Sequence, residues 1–313
     1  MTDYTKASFV ERWKMPIKEL AIYYAQKRRN DYQEGKKLKG IYVRKLFRLL
    51  IKLVLRIDQV TSHENIIVIR DSHKKNNNVP TIYACSHIGG NDIQRALQVI
   101  SKPAYLMFGD PGIIYRKLIY IGLKLNGVIP LETADREDRK IAYARSVELL
   151  QNGGNLLIFP EGAWNLSPNL VIMKTYTGTV RMAQETGAEI VPIAMEQYGD
   201  TFYVNIGENY FIPKDSDKNS DEWNTELRSK LATLKWEIME HQSSLKRSEI
   251  PNDYLRAFQE DIINRCNFGY DFSLEDALKE AFHDKHIHNP EEVFAHLNKL
   301  SPNIKNAFLL RNR

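Results

Sequence analysis

Five short apolar runs punctuate the middle of the chain: Val79 to Ala84, Pro103 to Phe108, Val128 to Leu131, Leu156 to Phe159 and Ile190 to Met195. Runs this short, bounded by glycine, proline or asparagine, read as buried strands. Between them lie segments of helical spacing at Asp92 to Val99, Tyr115 to Leu125, Ile141 to Leu150 and Thr177 to Glu185. The third helix stops at Asn152-Gly153-Gly154 and the fourth at Gly187. Strands alternating with helices predict an α/β fold, a largely parallel central sheet flanked by helices. Ligands then gather beyond the strand ends. Phe202 to Ile206 predicts a further strand, and so does Asn65 to Arg70. The polar turn 72–78 predicts that the strand at 65–70 pairs with 79–84 as an edge hairpin.

The flanks are helical. Residues 7–28 carry Phe9, Val10, Trp13, Ile17, Leu20, Ala21 and Tyr24 at helical spacing, which predicts one or two helices. Residues 213–221 read as a solvated loop. Helices are predicted at Trp223 to His241, at Tyr254 to Phe268, from Ser273 through Phe282, and from Pro290 onward. The expected division is an N-terminal helical segment (1–60), an α/β domain (61–215) and a helical C-terminal extension (216–313) without assigned chemistry. His283, His286 and His288 cluster in that extension. They lack a paired cysteine and an i, i+4 histidine spacing, so they read as surface histidines and no metal site is expected.

Ile41 to Ile57 is apolar except for Arg44, Lys45, Arg48, Lys52 and Arg56. The residues at 44, 48, 52 and 56 stack on one helical ridge. A wide apolar face beside a cationic ridge suits a membrane-docking helix, with the cations meeting anionic headgroups. The competing reading is a helix that packs on the core and exposes only its ridge.

Composition narrows the setting. The chain has 313 residues, 43% of them hydrophobic, which is ample for a core. Cys85 and Cys266 lie far apart, so no disulfide framework is expected, which fits a reducing cytosol. The amino terminus lacks a signal-peptide layout, and no apolar stretch is long enough to span a bilayer. The expected location is therefore cytoplasmic, peripheral on the inner face of a membrane. The net charge of +5 comes with no basic stripe of interleaved aromatics, so nucleic acid is not an expected partner.

The chemistry concentrates where the run Val79 to Ala84 ends. Cys85-Ser86 leads to His87, Gly89-Gly90 follow, and Asp92 stands five residues after the histidine. Neutral imidazole is a general base near neutral pH, and a carboxylate on its far nitrogen fixes the tautomer. On one straight helix the two side chains would diverge by roughly 140°. They meet if His87 sits in the loop and Asp92 in the first turn of the next helix. Alone, this pattern also fits a surface histidine in a strand–helix turn.

A second turn, Phe159-Pro160-Glu161-Gly162, ends the strand at 156–159. In order along the chain come His87-x4-Asp92, then Gly127-Val128-Ile129-Pro130-Leu131, then Phe159-Pro160-Glu161-Gly162, then Ile190-Val191-Pro192-Ile193-Ala194. This order resembles the four motif blocks of the glycerolipid (lysophosphatidic-acid type) acyltransferase family, over residues 79–210.

The resemblance implies transfer of an acyl group from a thioester, acyl-CoA or acyl carrier protein, to a lipid hydroxyl. It implies His87 as general base and Asp92 as the group that orients it. It places Phe159, Pro160, Glu161 and Gly162 near the acceptor, and it calls for no metal or redox cofactor. Two departures stand out. Glu132-Thr133 occupies the place where the family commonly has an arginine, and Ala163, Trp164 and Asn165 follow the glycine of the third block. Such arginines hold the acceptor's phosphate in the family, because a guanidinium fork matches phosphate oxygens. Arg136, Arg139, Lys174 and Arg181 are the candidate substitutes, with Trp164 as a stacking surface for a ring or sugar. The expected acceptor is a lysophospholipid-like molecule or another lipid or glycolipid. A thioesterase and a non-catalytic lipid-binding protein remain alternatives. No Gly-x-Ser-x-Gly elbow is present, which disfavours a serine hydrolase.

Overall fold

The computed structural model describes residues 7–38, 41–115, 118–265, 273–275, 302–304, 307 and 309–311, with the backbone alone at residues 9, 41–46, 113, 118 and 119. The His283, His286 and His288 cluster and the expected helix from Pro290 lie outside the described residues.

Three helices come first: α1 (Phe9–Lys14), α2 (Ile17–Gln33) and α3 (Ile41–Thr61). Pro16 separates α1 from α2, since it cannot donate an intrahelical hydrogen bond. Then β1 (Asn65–Asp71) and β2 (Thr81–Cys85) are followed by α4 (Asp92–Val99), β3 (Tyr105–Gly109), α5 (Leu118–Asn126) and β4 (Val128–Leu131). Next come α6 (Arg136–Gln151), β5 (Leu156–Ile158), α7 (Gly178–Thr186), β6 (Glu189–Tyr198) and β7 (Thr201–Ile206). Helices α8 (Ser220–Glu240) and α9 (Tyr254–Asn264) complete the described elements.

The strands form one seven-stranded sheet in the order β1-β7-β6-β2-β5-β3-β4. Every neighbouring pair is parallel except β6 with β7. This is the expected α/β architecture, with β2 at its centre. Alternation at period 2 divides the side chains between two faces. Tyr83, Cys85, Leu157, Val191 and Ile193 pack toward α4 and α5. Ile82, Ala84, Leu156, Ile158 and Ile190 pack toward α6, α7 and the first turns of α8.

Several expectations are corrected. The edge hairpin does not form. β1 pairs with β7, and β7 and β6 stand between β1 and β2. The reason is burial. All five residues of β2 are buried, as a central strand requires, whereas β1 is mostly exposed and suits an edge. Helix α6 starts at Arg136 rather than 141, because Asp135 caps it by accepting from the amides of Glu137 and Asp138. The carboxyl-terminal extension is not wholly helical. Ser244 and Arg311 form an antiparallel bridge, and Leu310 and Ala307 bury against α9.

Helix α3 turns its ridge the other way. Arg48 donates to the carbonyls of Ile100 and Ser101 at the end of α4, and burial lowers the pKa of Lys52. Leu49, Leu50, Leu53, Val54, Ile57 and Val60 are exposed, on one continuous helical face. The helix therefore packs through part of its cationic ridge and exposes its apolar face. Among the described residues, no helix is long and apolar enough to cross a membrane.

Candidate active site

The site is built at the carboxyl end of the central strand. Ser86 fastens the chain leaving β2 to β6. Its amide donates to the Ile193 carbonyl, and its hydroxyl oxygen accepts from the Met195 amide at 2.9 Å. Three residues later the chain reverses through Gly89 and Gly90, at φ 86° and 62°. This left-handed region favours glycine. A Cβ at Gly89 would also lie 2.4 Å from the Ile262 side chain of α9. Helix α4 then begins at Asp92, so the histidine sits in the loop and the aspartate in the first helical turn.

Asp92 Oδ2 accepts three hydrogen bonds: from His87 Nδ1 at 2.8 Å, from the Ile88 amide at 2.8 Å and from the Gly89 amide at 2.9 Å. With a carboxylate at Nδ1, the neutral imidazole carries its proton there, which leaves Nε2 as the lone-pair nitrogen. Asp92 is fully buried, while the His87 side chain keeps 12% of its surface exposed. Phe159 lies 4.3 Å from the imidazole, centroid to centroid, and Trp164 approaches edge-on at 6.3 Å. The arrangement is an oriented base, walled by aromatic rings, at a strand end.

Glu161 braces this corner. One carboxylate oxygen accepts the His87 amide at 2.8 Å and the other accepts the Met173 amide at 2.7 Å. The Asn165 amide donates to the His87 carbonyl at 2.8 Å. His87 is thus held by its backbone on both sides. Burial raises the Glu161 carboxyl above its ordinary range, against the opposing effects of Lys235 and the two amides. The structure places Glu161 as a strut within the site wall. Pro160 is buried, and its carbonyl accepts from the Tyr176 amide. Gly162 turns at φ 71°, where a Cβ would lie 2.6 Å from the Tyr176 ring.

The acyltransferase family model matches residues 66–196, a span that runs from β1 through this corner to β6. Over that span the chain is similar to the acyltransferase family. Over 116 residues the chain is 28% identical to the chloroplastic 1-acyl-sn-glycerol-3-phosphate acyltransferase LPAT1 of Arabidopsis thaliana. That match covers 37% of this chain and 32% of the plant protein. Over 147 residues it is 25% identical to the 1-acyl-sn-glycerol-3-phosphate acyltransferase of Borreliella burgdorferi, covering 47% of this chain and 54% of that protein. The chain thus spans about a third to about half of these curated relatives. In fold it is similar to the crystal structure of the 1-acyl-sn-glycerophosphate (LPA) acyltransferase PlsC from Thermotoga maritima. The TM-score is 0.53 at 14% identity, over 73% of this chain and all of that one.

The fold scatters the four candidate cations. Lys174 is exposed in the site loop, next to Met173 on the Glu161 brace. Arg181 lies over the Tyr143 ring at 5.4 Å, against α6. Arg136 is exposed in the first turn of α6, and Arg139 donates to the Thr133 carbonyl. Trp164 packs against Gly89 and the apolar cluster of α9.

Two features had no assignable role in the sequence. Arg28 of α2 reaches the end of β4, where it donates to both oxygens of buried Asp138 and to the Tyr115 hydroxyl. Glu132 lies beside it, and burial raises that carboxyl. An arginine therefore does stand at the end of the second motif strand, delivered from another helix and paired with carboxylates. The second feature is Ile262, which makes α9 part of the corner that holds His87 and Asp92. Neither contact leaves a sequence signal, since the partners lie 87 residues or more apart.

Proposed function

We propose that this protein transfers a fatty acyl group from a thioester to a hydroxyl of a lysophospholipid-like acceptor. The observation that carries this reading is the 2.8 Å hydrogen bond from His87 Nδ1 to Asp92 at the end of the central strand of an acyltransferase-family domain. The names of the relatives support the lysophospholipid-like acceptor.

In this scheme His87 Nε2 takes the proton of the acceptor hydroxyl as its oxygen attacks the thioester carbonyl. Asp92 stabilises the imidazolium that forms. The tetrahedral intermediate collapses with loss of the C–S bond, and the departing thiolate recovers the proton from His87. Products are an ester and a free thiol, so atoms and charge balance without a metal or a redox cofactor. General-base catalysis of this kind contributes about 10²- to 10⁴-fold in rate. The donor is acyl-CoA or an acyl carrier protein.

The same reading seats α3 on a lipid surface, through the face formed by Leu49, Leu50, Leu53, Val54, Ile57 and Val60. The protein then works as a peripheral enzyme at the cytoplasmic face, where both the thioester and the lipid acceptor are within reach. Among the described residues of the ridge, Arg56 is exposed beside that face, which favours an anionic surface.

The test is thiol release from long-chain acyl-CoA and acyl carrier protein against a panel of lysophospholipids, glycolipids and sugar alcohols, with His87→Ala alongside. Release that requires one acceptor and disappears in the variant is expected. Release that needs no acceptor would replace this reading with a thioesterase.

A further inference from the structure

The buried polar cluster between α3 and α4 has no part in the scheme above. Arg95 is fully buried, an unusual state for a charge this large. It lies one turn after Asp92 on α4. Its Nε donates to Glu64 Oε2 at 2.6 Å, and its Nη2 donates to Asp58 Oδ2 at 2.8 Å. The other oxygen of Glu64 accepts the side-chain amide of Asn91 at 2.8 Å. Asn91 is the residue immediately before Asp92. A single carboxylate thus grips the first turn of α4 at two points that flank Asp92. His63, at φ 56°, turns the chain after α3 so that Glu64 reaches this position.

The cluster extends onto α3. Asp58 belongs to α3, and so does Gln59, which accepts from the Gln98 side chain of α4 at 3.1 Å and donates to the Glu64 carbonyl at 3.0 Å. Arg95 also donates to the Leu55 carbonyl at 3.4 Å. Leu55, Asp58 and Gln59 form the inner side of α3, opposite the exposed face of Leu53, Val54, Ile57 and Val60. One helix therefore presents an unpartnered apolar face outward and a directional hydrogen-bond array inward. That array ends one residue from Asp92.

A buried ion pair adds little net stability over apolar packing of the same volume. It does impose direction, because a guanidinium fork satisfies its partners only in one geometry. We propose that Arg95 and Glu64 are positioning residues that transmit the seating of α3 on a lipid surface to the His87–Asp92 pair. Asp58 is the link to α3. With α3 free, the first turn of α4 and the three hydrogen bonds to Asp92 Oδ2 open more often. With α3 seated, they are held closed.

This inference rests on the lipid-docking reading above, and the experiment separates the two. The protein is incubated with vesicles of phosphatidylcholine and phosphatidylglycerol. Hydrogen exchange is then followed in peptides covering residues 86–99, which contain the Ile88 and Gly89 amides bound to Asp92. In the wild type, vesicles should slow this exchange about fivefold or more, the lower end of a typical coupling between sites. Asp58→Ala should sediment with vesicles as the wild type does and lose the slowing. Gln98→Met, which cuts a second link from the α4 side, should weaken it in the same direction and covers the case in which Asp58→Ala misfolds. Acyl transfer measured alongside should show the same pattern, as a lost preference for vesicle-borne over monomeric acceptor. Unchanged slowing in both variants, or none in the wild type on vesicles, would overturn the coupling and leave docking intact. Failure of the wild type to sediment would overturn both. Exchange coupling without acyl transfer would overturn the catalytic reading alone.

Discussion

The carboxylate of Glu161 accepts the backbone amide of His87 at 2.8 Å, although the two residues come from different motif turns. The strand end that carries His87 and the strand end that carries Glu161 are thereby locked at one separation. A glutamine at 161 supplies one oxygen where two amides need acceptors. One amide is left facing an NH2 group, which costs about 1–3 kcal/mol. Glu161→Gln should lower the midpoint of denaturant unfolding and reduce kcat, with KM little changed. Wild-type kcat in a stable Glu161→Gln protein would show that the brace does not set the position of the base.

Asp92→Asn retains a side-chain oxygen for the Ile88 and Gly89 amides and removes the charge beside the imidazole. Acyl transfer should fall by about 10²- to 10⁴-fold while the fold persists. Steady-state rates with circular dichroism on the same sample check both halves of this expectation.

Cys85 lies two residues before His87 but is fully buried. Burial raises its thiol well above the ordinary range, and the negative charges of Asp92 and Glu161 raise it further. A group in that state has no thiolate to offer at pH 8. Iodoacetamide should leave Cys85 unmodified in the folded protein by peptide mass mapping, and Cys85→Ala should retain acyl transfer. Loss of activity in Cys85→Ala with the fold intact would point instead to an acyl-enzyme on this sulfur.

Leu53 and Ile57 are more than half exposed on α3. Glutamate at both positions should abolish sedimentation with lipid vesicles. Exposed substitutions of this kind shift stability by about 0.5 kcal/mol or less each, so the melting temperature should hold. Unimpaired sedimentation of the double variant would move the docking surface elsewhere.

Arg28 compensates the buried carboxylate of Asp138. Arg28→Met strands that charge and should cost about 3–5 kcal/mol in denaturant unfolding. Adding Asp138→Asn removes the stranded charge and should recover a substantial part of the loss. No recovery would mean that the pair does not act as a unit.

Much of the local structure was legible because it depends on neighbours in sequence. The apolar runs, the stops at Gly153 and Gly187 and the glycines after His87 marked strands, helices and the His87 corner by short-range chemistry. The start of α6 was misplaced because its first turn is polar, and the cap at Asp135 outweighs that lack of apolar spacing. The second role of Gly89, making room for Ile262, was illegible, since that residue lies on the far side of the chain's connectivity.

The sequence by itself determined the alternation of strands and helices, and with it a parallel sheet with His87 and Glu161 at strand ends. It also determined that Asp92 would open the helix after the loop, since the glycine pair breaks any continuous helix between them. Only the tertiary structure decided that β1 lies beside β7 rather than β2, that α3 turns Arg48 inward and its leucines outward, that Arg28 meets Asp138 at the end of β4, that Arg95 pairs with Glu64 and Asp58, and that Ile262 packs on the corner at Gly89. The physical reason is that periodicity and capping are local, whereas strand order, helix facing and the pairing of buried charges are set by which surfaces exclude water from one another once the whole chain has folded.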